Sequence, residues 1–269
     1  LRTREENLFN LGNTILLYDL TNSYFEGNCT KNPKARRSAN SKEKRTDCPL
    51  LSVGLVLNAE GFPIVHKVFP GNTNDSKTIL DMVSSLQEQA GDSRRPTVVL
   101  DGGIATKANL DTLLENNYDY VVNGKRTTRQ NFAEDFRKKD AFQAVQGRDD
   151  KKPVFVKRIW QQQEVVLLCR SDDRKAKEDA MVSKTEERFL EALQKLAGRI
   201  AKKDGKLHLD EDGGHMCVNR CVGKIASRYT RASKFYTVNY NAENLSLKWT
   251  RDEGKFEDDA ALHGCYHLR

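Results

Sequence analysis

Two short apolar runs, each carrying an aspartate at its downstream end, constrain this chain most. TILLYDL, residues 14–20, holds Asp19, and TVVLD, residues 97–101, closes on Asp101. Both are flanked by turn-like residues and read as buried strands. Between them, LLSVGLVLN (50–58) and FPIVHKVFP (62–70) are joined by Ala-Glu-Gly, which predicts a hairpin. TILDMVSSLQEQAG then repeats Ile79, Leu80, Met82, Val83 and Leu86 at helical spacing and stops at Gly91. A second helix follows in IATKANLDTLLENN, with Leu110, Leu113 and Leu114 on one face, and YDYVVNGK (118–125) reads as a strand. The order strand, hairpin, helix, strand, helix, strand predicts an α/β fold, with parallel neighbours in a mixed central sheet joined by helical crossovers. It leaves the strand order open.

After residue 126 the text changes. FAEDFRKKDAFQAVQGRDDKK is charged and helical in part, and VFVKRIW with EVVLLCR reads as a second hairpin. Residues 173–204 predict a long charged helix with Phe189, Leu190, Leu193, Leu196 and Ile200 as its apolar stripe. From 225 onward the chain reads as aromatic-rich strands, with Tyr229, Phe235, Tyr236, Tyr240 and Trp249 as core. The expected division is a core over 1–126 and a second region, helical and β, over 127–269.

The 269 residues include 45 Lys and Arg against 38 Asp and Glu, a net charge of +7 that permits a polyanionic partner without demanding one. No run of 18 apolar residues occurs, so a membrane partner is not expected. The six cysteines form no CxxC pair and read as reduced cytoplasmic thiols. HMCVNRC, with His215, Cys217 and Cys221, would hold zinc only with a fourth ligand from elsewhere.

A carboxylate at the C-terminal end of a parallel strand lies where α/β proteins place their ligands. Asp after a strand also serves as a turn or capping residue, so either acid alone would say little. Two on neighbouring strands would repel, and a divalent cation removes that conflict. Oxygen ligation suits Mg²⁺ or Mn²⁺, and a pair of such ions can activate water on one side of a phosphodiester and stabilise the leaving oxygen on the other.

LLYDLTNSYFEG, GFPIVHKVFPGNTNDSKTI and TVVLDGGIATKANLDTLLENNYDYVVNGK, in that order, resemble the DDE transposases of the IS4 superfamily, nearest the IS1634-type group; GKIASRYTRASKFYTVNY is similar too. The resemblance implies a ribonuclease H-like core with a largely β insertion. It also implies two Mg²⁺ (or Mn²⁺) ions, with Asp19 and Asp101 as catalytic and metal-holding residues. The implied reaction is cleavage of insertion-sequence ends and their transfer to target DNA, on the nucleoid of a bacterium or archaeon, with a homodimer allowed in the DNA complex.

The third acid of that group, a Glu in a Tyr-Arg-Glu-Lys-like pattern, matches nothing in this text. Glu186 and Glu187 lie on the long helix in KTEERF, while Glu243, Glu253 and Glu257 sit in strand or turn text. The Glu is expected beyond Arg269, so the chain reads as a fragment missing both ends, inactive by itself. The alternatives are a catalytically dead DNA-binding remnant and a ribonuclease H-like nuclease that only hydrolyses.

The basic stretch 31–45, read as a flexible loop, includes Arg36, Arg37, Lys44 and Arg45; with Lys125 and Arg126 these are the candidate DNA contacts. Asn72, Asn74 and Asp75 are expected to cap a helix, and Gly102 and Gly103 to turn the backbone away from Asp101.

Overall fold

A computed structural model describes residues 15–38, 46–74, 77–89, 95–145, 152–161, 164–209 and 214–269. The chain divides into two compact units. The first comprises Leu1–Arg126, Trp160–Leu167 and His267–Arg269, the second Thr127–Ile159 and Leu168–Tyr266.

The first unit contains a five-stranded sheet in the order β3-β2-β1-β4-β5. Its strands are β1 (Ile15–Tyr24), β2 (Leu50–Asn58), β3 (Pro63–Pro70), β4 (Thr97–Leu100) and β5 (Asp119–Val122). β1 with β2 and β2 with β3 are antiparallel, while β1 with β4 and β4 with β5 are parallel. This is the mixed α/β sheet that the element order predicts.

Strand periodicity decides which side is covered. Leu16, Tyr18 and Leu20 alternate inward and meet Val56, Val65, Val98 and Leu100. Helices α1 (Ile79–Gln89) and α2 (Lys107–Glu115) cover this face with Ile79, Met82, Val83, Leu86, Leu110 and Leu113, while Leu80 and Leu114 of the expected stripes are exposed. Tyr18 donates its hydroxyl to Thr78 at 2.7 Å within this core. On the opposite face Ile15, Leu17 and Leu55 are exposed.

Two expectations change here. β1 does not stop at Leu20 but runs to Tyr24, because β2 continues its ladder as far as Tyr24 opposite Leu50. The basic stretch is also held in place where it is described. Arg36 and Leu50 exchange two backbone hydrogen bonds of 2.9 Å, and Lys34 accepts from the Gly71 amide and donates its Nζ to Val68. Residues 39–45 lie outside the described residues, as does Asp75 of the expected cap.

Beyond residue 126, helix outweighs strand among the described residues, against the expectation of a largely β insertion. After the 3₁₀ turn Arg126–Phe132 come α3 (Ala133–Arg137), β6 (Gln143–Val145), β7 (Val154–Gln161) and β8 (Glu164–Ser171). They lead into the 30-residue α4 (Asp172–Ala201), capped by the Ser171 hydroxyl. Then follow α5 (His215–Arg228), α6 (Thr230–Ser233), β9 (Tyr236–Asn241), β10 (Ser246–Arg251), α7 (Glu253–Ala260) and β11 (Cys265–Leu268). The sheets are β11-β8-β7-β6 and β10-β9.

Phe189, Leu193, Leu196 and Ile200 of α4 pack with Val218, Ala232 and Leu247, joined by Tyr229, Tyr236, Tyr240 and Trp249. Of the aromatic residues expected as core, Phe235 is buried and Tyr229, Tyr236, Tyr240 and Trp249 are half-buried against this cluster. Residues 225–233 are nevertheless helical rather than strand, since Ile225 and Val222 extend the apolar side of α5 onto the same cluster.

Candidate active site

The alternation that buries Tyr18 and Leu20 turns Leu17, Asp19 and Thr21 to the uncovered face of the sheet. In the parallel register of β1 with β4, Leu17 stands opposite Val99 and Tyr18 opposite Leu100. Asp19 and Asp101 are each the next residue, so they project on one side of two adjacent strands, whose spacing is about 4.8 Å. Both acids line one hollow of about 600 Å³, with Leu17, Thr21, Leu55, Leu57 and Val99 as its other walls.

Asp19 thus marks the end of the parallel pairing rather than of its own strand. Thr21, two residues on, shares its face through the same alternation. The sequence reading missed Thr21, although the period of two was the signal that places it.

Each carboxylate is exposed and accepts one local amide hydrogen bond at 2.8 Å, Asp19 from Leu20 N–H and Asp101 from Gly102 N–H. The second oxygen of each has no hydrogen-bonding partner among the described residues. Gly102 is needed for space rather than for an unusual backbone angle. A Cβ there would come within 2.7 Å of the Asn123 carbonyl oxygen, and its φ is not positive. The next turn closes with Ile104 N–H donating to the Asp101 carbonyl at 3.0 Å, and Thr106 then caps α2.

Lys125 and Arg126, both exposed, follow the C-terminal end of β5, beside the end of β4 that carries Asp101. Arg36 and Arg37 are exposed past the Tyr24 end of β1, beside Leu50. Lys44 and Arg45 lie outside the described residues.

Of the alternative acids, Glu186 accepts from Tyr236 at 2.6 Å and Arg251 at 3.1 Å, and Glu253 is engaged by Arg251 at 2.8 Å. Among the described residues no group of three or more His, Cys, Asp or Glu side chains is arranged to hold a metal, which covers His215 with Cys217 and Cys221. No helix among them is long and apolar enough to cross a membrane.

The two half-satisfied carboxylates of this mixed α/β sheet lie at one hollow where its parallel pairing ends, the place at which open α/β sheets take their ligands. The chain belongs to the family described as Transposase DDE domain, which matches residues 11–248. It therefore has a transposase function, and domains of this family act on DNA and generally use divalent metal ions. No curated protein matches the chain.

Proposed function

We propose that Asp19 and Asp101 are the first two metal-holding carboxylates of a DNA-cleaving and strand-transferring site, in a ribonuclease H-like core of the IS4 superfamily, nearest its IS1634-type group. The observation that carries this reading is their shared side of adjacent parallel strands, at one hollow, each with an oxygen left over. The alternation of three antiparallel strands followed by two parallel ones supports the fold assignment. The division into a core over 1–126 and an insertion over 127–269 belongs to the same proposal.

The donor set fits the family's metal. Two exposed carboxylates offer hard oxygens and leave room for waters and phosphate oxygens, as Mg²⁺ prefers. When bound, divalent ions supply polarisation of the attacking and leaving oxygens. The residues of the chain do the rest. Asp19 and Asp101 fix the charge at the strand ends, and the apolar walls Leu17, Leu55 and Val99 limit water on one side. Arg36, Arg37, Lys44, Arg45, Lys125 and Arg126 contact phosphates without reading sequence. Water attacks the first phosphodiester, and the 3′-hydroxyl released attacks the target strand.

Among the described residues no third His, Cys, Asp or Glu joins the two carboxylates, and two hold an ion less tightly than three, so little strand cleavage is expected of this chain alone. That shortfall favours a second reading, DNA binding without chemistry. Mn²⁺ binding followed by electron paramagnetic resonance decides the metal question. Weak binding that drops roughly tenfold or more, at least 1.4 kcal/mol, in both Asp19→Asn and Asp101→Asn supports the site. Binding indifferent to both substitutions would sink it. Turnover of insertion-end DNA by the chain alone would overturn the claim of inactivity.

A further inference from the structure

The second unit carries another hollow of about 600 Å³, lined by Thr185, Arg188, Glu191 and Lys195 of α4 and by Arg228 and Tyr229 at the end of α5. Three cations face one carboxylate there. Glu191 reaches Lys195 only at 3.9 Å, with both side chains largely exposed. Such a contact is worth little.

Three other carboxylates of α4 are already engaged inside the unit. Glu178 is taken by Arg129 and Arg174, Asp179 by Lys175 and His263, and Glu186 by Arg251. Arg188 and Arg228 are different: neither forms an ion pair among the described residues, and both are exposed. Arg228 lies 5.6 Å from the Tyr229 ring, whose edge packs on Phe189, so its base is anchored to the core. The Tyr229 hydroxyl has no hydrogen-bonding partner among the described residues. Arg188 and Arg228 are thus two exposed cations at this hollow that no carboxylate of the described residues neutralises by an ion pair.

The spacing indicates what that is. Arg188 and Lys195 are two turns apart on one side of α4, about 10 Å along its axis. That matches the axial rise of about three successive phosphates in one strand of a duplex, at roughly 3.4 Å each. We propose that the hollow formed by Arg188, Lys195, Arg228 and Tyr229 is a second DNA contact surface, seating the phosphate backbone of duplex DNA without reading its sequence. This rests on the DNA-acting reading above and adds a surface that is separate from the two aspartates in residue composition.

The test is the salt dependence of duplex binding by the whole chain, followed by fluorescence anisotropy. Each lost phosphate contact lowers the slope of log K against log salt by about 0.9. The triple substitution Arg188→Ala, Lys195→Ala, Arg228→Ala is expected to lower it by about 2.7, while Arg188→Lys largely keeps it. Removing three exposed lysines elsewhere in the unit, Lys138, Lys139 and Lys248, to Ala is expected to leave the slope unchanged. An equal loss in that control, or an unchanged slope in the triple variant, would overturn the proposal and leave the two-aspartate site untouched. Failure of the unsubstituted chain to bind duplex DNA at all would overturn both.

Discussion

The Arg129 guanidinium donates to Glu178 at 3.0 Å with both side chains only 6% exposed. Arg174 adds a contact at 3.4 Å, and the Gly264 amide donates to the same carboxylate at 3.4 Å. A buried ion pair contributes little net stability over an apolar replacement, but removing one member leaves an uncompensated buried charge. Arg129→Met or Glu178→Leu alone is expected to cost about 3–5 kcal/mol in urea denaturation. The double substitution is expected to cost clearly less than their sum. Additive losses would mean that the two charges are not coupled.

A second cluster makes the protein sensitive to acid. His263, 2% exposed at its side chain, faces Asp179 at 2.6 Å and Asp259 at 3.2 Å, while Lys175 and Lys234 hold the far sides of the two carboxylates. The hydrogen bond from Lys175 holds Asp179 below the usual carboxylate range, against burial and with help from His263. Burial would raise Asp259, but Lys234 and His263 together more than reverse it. Carboxylates lowered on folding contribute stability that is complete above their unfolded values, near 3.9, and is lost as pH falls through the folded ones. The Tm is therefore expected to drop below about pH 4, and Asp259→Asn to flatten that acid limb. An acid limb unchanged by Asp259→Asn would exclude this source.

Two glycines should respond oppositely to alanine. At Gly71 a Cβ would run into the Leu50 carbonyl and meet the Arg36 carbonyl oxygen at 2.7 Å, backbone on both sides that cannot swing away. Gly71→Ala is expected to cost about 1–3 kcal/mol. Gly198, inside α4, meets nothing within 4 Å. Gly198→Ala is expected to gain about 0.5–1 kcal/mol by removing unfolded-state freedom. Chemical denaturation of both variants checks the pair, and equal signs would contradict the packing described.

The aspartates of the hollow should matter for ligands and not for folding. Both are exposed and hold only a neighbouring amide. Asp19→Asn and Asp101→Asn are expected to change stability by less than about 0.5 kcal/mol in chelator. A loss of several kcal/mol would give the carboxylates a structural role instead.

Much of this molecule is legible locally. The helical stripes of α1 and α4 and the apolar strands β1, β2 and β4 appear where a period of 3.6 or 2 predicts them, because each period is a property of a few consecutive residues. The parity that places Leu17, Asp19 and Thr21 together is equally local. What residues cannot announce alone is who pairs with whom. The order β3-β2-β1-β4-β5, the continuation of β1 past Leu20 and the docking of Arg36 on Leu50 arise from hydrogen bonds between segments far apart in the chain. So does the pairing of Glu178 and Glu186 on α4, since Arg129 and Arg251 arrive from other elements. The residue pattern supplied two acids and their facing; the register of β1 against β4 brought them level.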